Sequence, residues 1–157
     1  MANHMRWRYG DTNPVTHPVQ SDVVIEIGDL LYLEGSTVKP ASAAADAGTA
    51  TANQAVFHDA FVGVAMQASP AGRAGSIRIA TTGVFEFSGD AAVRPLGQLV
   101  GVAENAGGDA LEDQKVGTVA SVQEAIGRCA QRVDPASSRV LVDVVGTTTR
   151  GGPQEVA

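Results

Sequence analysis

The chain is predicted to fold as a mainly β protein, a small antiparallel β-barrel or sandwich with an extended N-terminal arm and flexible loops. Three observations predict this. Residues 61–87, FVGVAMQASPAGRAGSIRIATTGVFEF, alternate apolar with small or polar positions and break at Ser69-Pro70-Ala71-Gly72 and at Thr82-Gly83. That is the pattern of half-buried strands joined by turns. The apolar fraction, 44% of 157 residues, is mostly Ala and Val, with 4% aromatics and 18 glycines; such side chains suit thin, closely approaching sheets rather than an aromatic-lined pocket. A motif also recurs: Val62-Gly63-Val64-Ala65, Val100-Gly101-Val102-Ala103 and Ile126-Gly127-Arg128-Cys129 share a branched-Gly-x-small pattern.

Residues 1–20 read as an extended arm. Arg6, Trp7, Arg8 and Tyr9 stand together, and Asn13-Pro14 and His17-Pro18 follow; a proline pushes the residue before it toward extended backbone. Trp, Tyr and Arg are the residue types that dominate interface hot spots. A free solvated tail has little physical use for Trp7 and Tyr9, so these four residues are the candidate binding site.

The body, residues 21–146, reads as one β-rich domain, and 157 residues leave room for no more than one modest core. Residues 23–33, VVIEIGDLLYL, suit two short strands with a turn or bulge at Gly28, and Thr37 to Pro40 closes that segment. Residues 41–55 hold only small and polar side chains. With no large apolar residue to anchor a helix face, they read as a mobile loop. After the strands of residues 61–87, Ser88-Gly89-Asp90 reads as a turn, and Val93 to Val102 as a further apolar segment broken by Pro95 and Gly97. Residues 104–114 form an acidic, Gly-containing loop, and Val116 to Val122 suits a strand. Residues 124–133 fit either period; the repeat favours strand. Gly63 and Gly127 head the two fuller copies of the motif. Each copy continues with a Gln (Gln67, Gln131), a Pro-containing turn (Pro70, Pro135) and an alternating strand, 76–80 or 139–145. Duplicated hairpins in a barrel or sandwich explain that recurrence. Residues 147–157 are polar and read as a disordered tail.

Charge and motif content argue against most chemistry. The net charge is −6, with only two lysines, Lys39 and Lys115. No basic cluster offsets a phosphate backbone, so no nucleic-acid partner is expected. Arg6 and Arg8 against Asp11 give the first twenty residues a net +1, which sets them apart from an acidic body. No apolar run approaches the roughly 20 residues that span a bilayer, and the N-terminus lacks a signal-peptide core. No membrane partner is expected. A single cysteine, Cys129, excludes an internal disulfide, and its place at the small position of the repeat suggests quiet burial. His4, His17 and His58 lack zinc-site spacing and read as surface or arm residues. Neither a phosphate loop nor a nucleophile elbow is present. No catalytic, metal-binding or cofactor-binding residue is assigned, and no cofactor is expected. The protein is expected not to be an enzyme.

Val24-Ile25-Glu26-Ile27-Gly28-Asp29, the Val-Gly-Val-Ala turns, Ile77-Arg78-Ile79 leading to Thr82-Gly83-Val84, and Arg139-Val140-Leu141-Val142 resemble the bacteriophage capsid cement or head decoration proteins over about residues 20–146. The resemblance implies a structural virion protein, made in the host cytoplasm and docked on the outer capsid surface. It further implies the major capsid protein as partner, a homotrimer at three-fold and quasi-three-fold positions, and stabilisation of the shell against internal pressure. A carbohydrate- or host-surface-binding β module is the alternative. It would call for exposed aromatics in the loops, and residues 41–55 and 104–114 contain none.

Overall fold

The computed structural model describes residues 5–147. They form eleven strands, one α-helix and two short 3₁₀ turns. The strands are β1 (Arg6–Tyr9), β2 (Val15–Val19), β3 (Leu30–Glu34), β4 (Thr37–Pro40), β5 (Phe61–Ala65), β6 (Gly75–Ala80), β7 (Thr82–Arg94), β8 (Leu99–Glu104), β9 (Leu111–Thr118), β10 (Gly127–Cys129) and β11 (Val133–Val145). The helix, α1, spans Ala50–Ala60.

The expectation of a mainly β fold is met. Strands β7, β11, β10, β8 and β9 hydrogen-bond in that order, and β9 returns to β7, closing a five-stranded barrel. Every neighbouring pair in the ring is antiparallel except the last. There, Ser88 and Gly89 of β7 run parallel to Lys115 and Val116 of β9. Closure leaves the ring without a free edge. The remaining strands form a five-stranded antiparallel sheet in the order β2-β6-β5-β3-β4.

A register shift in β5, where Leu31 pairs with Gly63 but Tyr32 with Phe61, breaks the expected alternation and sends Val62 and Val64 to opposite faces. Along β5, Phe61 and Val64 enter one buried cluster while Val62 and Ala65 enter another. Along β3, Leu30 and Tyr32 face the first and Leu31 the second. The larger cluster continues through Phe85, Phe87, Val102, Val140 and Val142 of the barrel. One core is therefore shared between barrel and sheet, and the smaller lies on the sheet's other face with Val19, Ile25 and Ile77. Only Thr81 separates β6 from β7, so the step from Ala80 to Thr82 carries the chain from sheet to barrel.

Six expectations are corrected. Pro135 lies inside β11 rather than in a turn before it, and residues 111–114, read as part of an acidic loop, begin β9. The arm read over residues 1–20 is extended where it is described, from residue 5 on, but it is not separate from the body: β1 pairs with β7 of the barrel, and β2 pairs with β6 of the sheet. Pro18 fits there because β2 is an edge strand, where a missing N–H breaks no ladder. Residues 41–55 are not one mobile loop, since they hold a 3₁₀ turn at Ala41–Ala43 and the start of α1. Ser88-Gly89-Asp90 is not a turn but the middle of β7, where Gly89 lets β9 approach. His58 is not a surface residue; it is buried, with its Nδ1 2.5 Å from the carbonyl oxygen of Ala125. The tail expected over 147–157 lies outside the described residues apart from Thr147, whose N–H donates to the Phe61 carbonyl.

Candidate functional site

The four candidate residues all fall on β1, and all are exposed. Because β11 runs along one edge of β7, β1 and β9 share the other edge: β1 opposite Val84, Phe85 and Glu86, β9 opposite Ser88 and Gly89. Trp7 stands opposite Phe85, and residues directly opposite in an antiparallel pair share a face. Phe85 is buried inside the barrel, whereas Trp7 overhangs it with 51% of its surface exposed, and Tyr9 is 52% exposed. An irregularity between Trp7 and Tyr9 shifts the register by one residue on β7.

The arginines behave differently from the rings. Arg8 donates from Nε and Nη2 to Glu86 Oε2, at 3.2 and 2.5 Å. Arg139 of β11 approaches the other Glu86 oxygen at 3.9 Å. Glu86 is thus clasped on the outer face by a cation from each side, which fixes the pitch of β1 more than it stabilises the fold, since exposed pairs contribute little. Arg6 donates to the carbonyl of Met5 at 2.9 Å. Both rings are therefore held half-exposed on a braced strand.

What holds the start of β1 was not readable in the sequence. Met5, two residues before Trp7, is buried, and its N–H donates to Oε1 of Gln114 on β9 at 3.2 Å. Gln114 Nε2 donates to Asp29 Oδ1 at 2.9 Å and to the carbonyl of Ile27 at 3.2 Å. Asp29 Oδ2 accepts the N–H of Glu26 at 2.8 Å. Asp29 and Gln114 are both buried. Burial is the main cause that pushes the Asp29 carboxyl up to about 6, with the charges of Asp113 and Glu26 adding to it; the hydrogen bonds from Gln114 and Glu26 pull the other way. In the sequence Gly28-Asp29 signals only a turn, and nothing in DQK foretells an amide reaching across 85 residues.

The rest of the surface offers less. An open groove of about 430 Å³ is lined by Ser42, Leu111, Glu112, Asp113 and Lys115, among others. Its charges are largely spent on each other: Asp113 accepts from the N–H and hydroxyl of Ser42, and Lys115 sits 3.0 Å from Asp90 and 3.8 Å from Glu112. Cys129 is buried, and burial pushes its thiol up, away from the reactive thiolate. Among the described residues no group of three or more His, Cys, Asp or Glu is placed to hold a metal ion. Among the described residues no helix is long and apolar enough to cross a membrane.

The fold places the chain among mainly β proteins built on a closed five-stranded barrel with a second sheet. No protein-family model matches it, and no curated protein does. One solved structure similar to it is the N base of the head fiber gp8.5 of bacteriophage phi29. The TM-score is 0.45 at 11% identity, over 83% of this chain and 93% of that one. A likeness that remote carries no functional statement.

Proposed function

We propose that this protein is a non-enzymatic structural component of a phage head, which binds the outer surface of the assembled capsid as a cement or decoration protein and stabilises it. The observation that carries this reading is the pair Trp7 and Tyr9, half-exposed on a strand whose backbone is already committed to β7. Ordering is complete before a partner arrives, so burial of the rings is not offset by the entropy of fixing a loose arm. The partner is the major capsid protein. Trp7 and Tyr9 fill apolar hollows on it, while Arg6 and Arg8 lie near its carboxylates.

Magnitudes favour several copies acting together. Covering the exposed half of two large rings removes on the order of 200 Å² of surface from water, about 5 kcal/mol. The loss of translational and rotational freedom takes most of that back. A homotrimer on a three-fold or quasi-three-fold position makes the second and third contacts intramolecular, so weak contacts sum to stable occupancy. Binding the expanded shell and not its precursor stabilises that shell by mass action.

The test mixes purified protein with empty expanded heads and images them. Wild-type protein is expected to add density at three-fold positions. The double variant Trp7→Ala, Tyr9→Ala is expected to lose occupancy at least tenfold while its circular dichroism and melting temperature stay unchanged. Equal occupancy by the double variant would remove β1 from the mechanism, and no added density with wild-type protein would remove the capsid.

A further inference from the structure

We propose that Asp29 and Gln114 form a proton-operated latch: ionised Asp29 orients the Gln114 amide to hold Met5, and protonated Asp29 turns that amide and frees β1. Which carboxylate oxygen takes the proton decides what the amide does. Oδ2 accepts the backbone N–H of Glu26, a donor that cannot reverse its polarity. Oδ1 faces Nε2 of Gln114, a side-chain amide that can. A proton in the line of either hydrogen bond points at an N–H donor, and on Oδ1 that donor, the Gln114 amide, is the one that can turn to accept it.

Two donors cannot share that line, so the amide must turn. After a half-turn Oε1 accepts from the Asp29 hydroxyl, but Nε2 then points at the N–H of Met5, which until then donated to Oε1. Oε1 also meets the carbonyl of Ile27, which had been accepting from Nε2. Relieving one conflict creates two others. They are cheapest to resolve by moving the chain that is least tied down, which is Met5 and the short strand behind it. β1 has four residues, all exposed, and pairs with β7 alone.

The groups that face Asp29 set where this happens. Glu26 from its own turn and Asp113 from β9 are both acidic and both favour the protonated form, and burial favours it more strongly. The carboxyl stands at about 6 as a result, so the latch operates in mildly acidic solution. Under the proposed function it would control whether Trp7 and Tyr9 are presented in fixed geometry. It is tested on the free protein, so its failure would leave capsid binding untouched, and loss of capsid binding would leave it untouched.

Trp7 is the only tryptophan in the chain, so its emission reports β1. Emission and amide exchange at residues 6–9, corrected for intrinsic rates, are followed from pH 4.5 to 8. Wild-type protein is expected to show one transition near pH 6, with protection at β1 about ten- to hundredfold lower on the acid side. In Asp29→Asn the new amide presents an N–H to Gln114, as the protonated acid does. Its emission should be flat and sit at the wild-type acid value at every pH. Gln114→Met removes the relay and should likewise abolish the transition, whereas Asp113→Asn should keep it and move its midpoint down. A flat wild-type profile overturns the latch. So does a transition surviving in Asp29→Asn or Gln114→Met, or Asp29→Asn resting at the alkaline value.

Discussion

A Cβ built on Gly127 would lie 2.1 Å from the carbonyl oxygen of Asp143, and one on Gly63 would lie 1.9 Å from that of Ala80. In both cases the obstructing carbonyl belongs to the second strand of the hairpin that the glycine opens, β10–β11 or β5–β6. The repeated branched-Gly-x-small motif therefore marks a packing requirement, namely two backbones meeting closer than a methyl group allows. Gly101 follows the same logic, with the Glu124 carbonyl 2.6 Å from its absent Cβ. Because the clash is with backbone rather than a movable side chain, Gly127→Ala is expected to destabilise the protein by about 3 kcal/mol or more. Gly72→Ala meets nothing within 4 Å but sits at a φ of +81° and should cost only about 1 kcal/mol. Urea denaturation of the two variants checks the contrast, and equal losses would refute it.

Among the elements, α1 shows where hydrophobic periodicity misleads. Its first half is Ala, Thr, Asn and Gln, with no apolar face to signal a helix. The anchors are of other kinds. Thr49 caps the first turn by accepting the N–H of Ala52. Buried Asn53 donates to Asp46 and Glu104, and Gln54 donates to the Val102 carbonyl of β8. Phe57 supplies the apolar contact, with ring centres 5.9 Å from Tyr32 and 5.7 Å from Phe61. Phe57→Ala is expected to cost about 3–5 kcal/mol. Val56→Ser, one residue earlier and 57% exposed, should change stability by no more than about 0.5 kcal/mol. Thermal melts of both variants test whether one ring moors the helix; a Phe57→Ala protein as stable as Val56→Ser would show that it does not.

On the scale of the whole molecule, barrel and sheet are joined by more than the single residue Thr81. Thr81 and Thr82 both donate their N–H groups to the Thr12 carbonyl, and their hydroxyls donate to the carbonyls of Asn13 and Asp11. The N–H of Gly146 donates to Thr81, and Thr147 ties back to Phe61. The strap between β1 and β2 and the end of β11 thus lock the junction from two sides, over a core that both units share. Denaturant unfolding at pH 7.5 is therefore expected to be a single transition, coincident by far-UV circular dichroism and by an aromatic near-UV signal. Two separated transitions would mean that barrel and sheet fold independently.

Local pattern alone determined the β class, the strand–turn–strand course of residues 61–80, the hairpin that begins at Gly127, and the grouping of Trp7 and Tyr9 as residues unsuited to a free tail. These follow from side-chain alternation and turn chemistry, which act over a few residues. Only the tertiary structure decided that residues 6–9 and 15–19 join two different sheets, that Ser88-Gly89-Asp90 continues a strand, that His58 is buried, and that Gln114 ties Met5 to Asp29. Each of those depends on a partner distant in sequence, such as Val116 for Gly89, Ala125 for His58 and Asp29 for Gln114. A glycine that turns a chain and one that admits a neighbouring backbone read the same in one dimension, and differ only once the neighbour is in place.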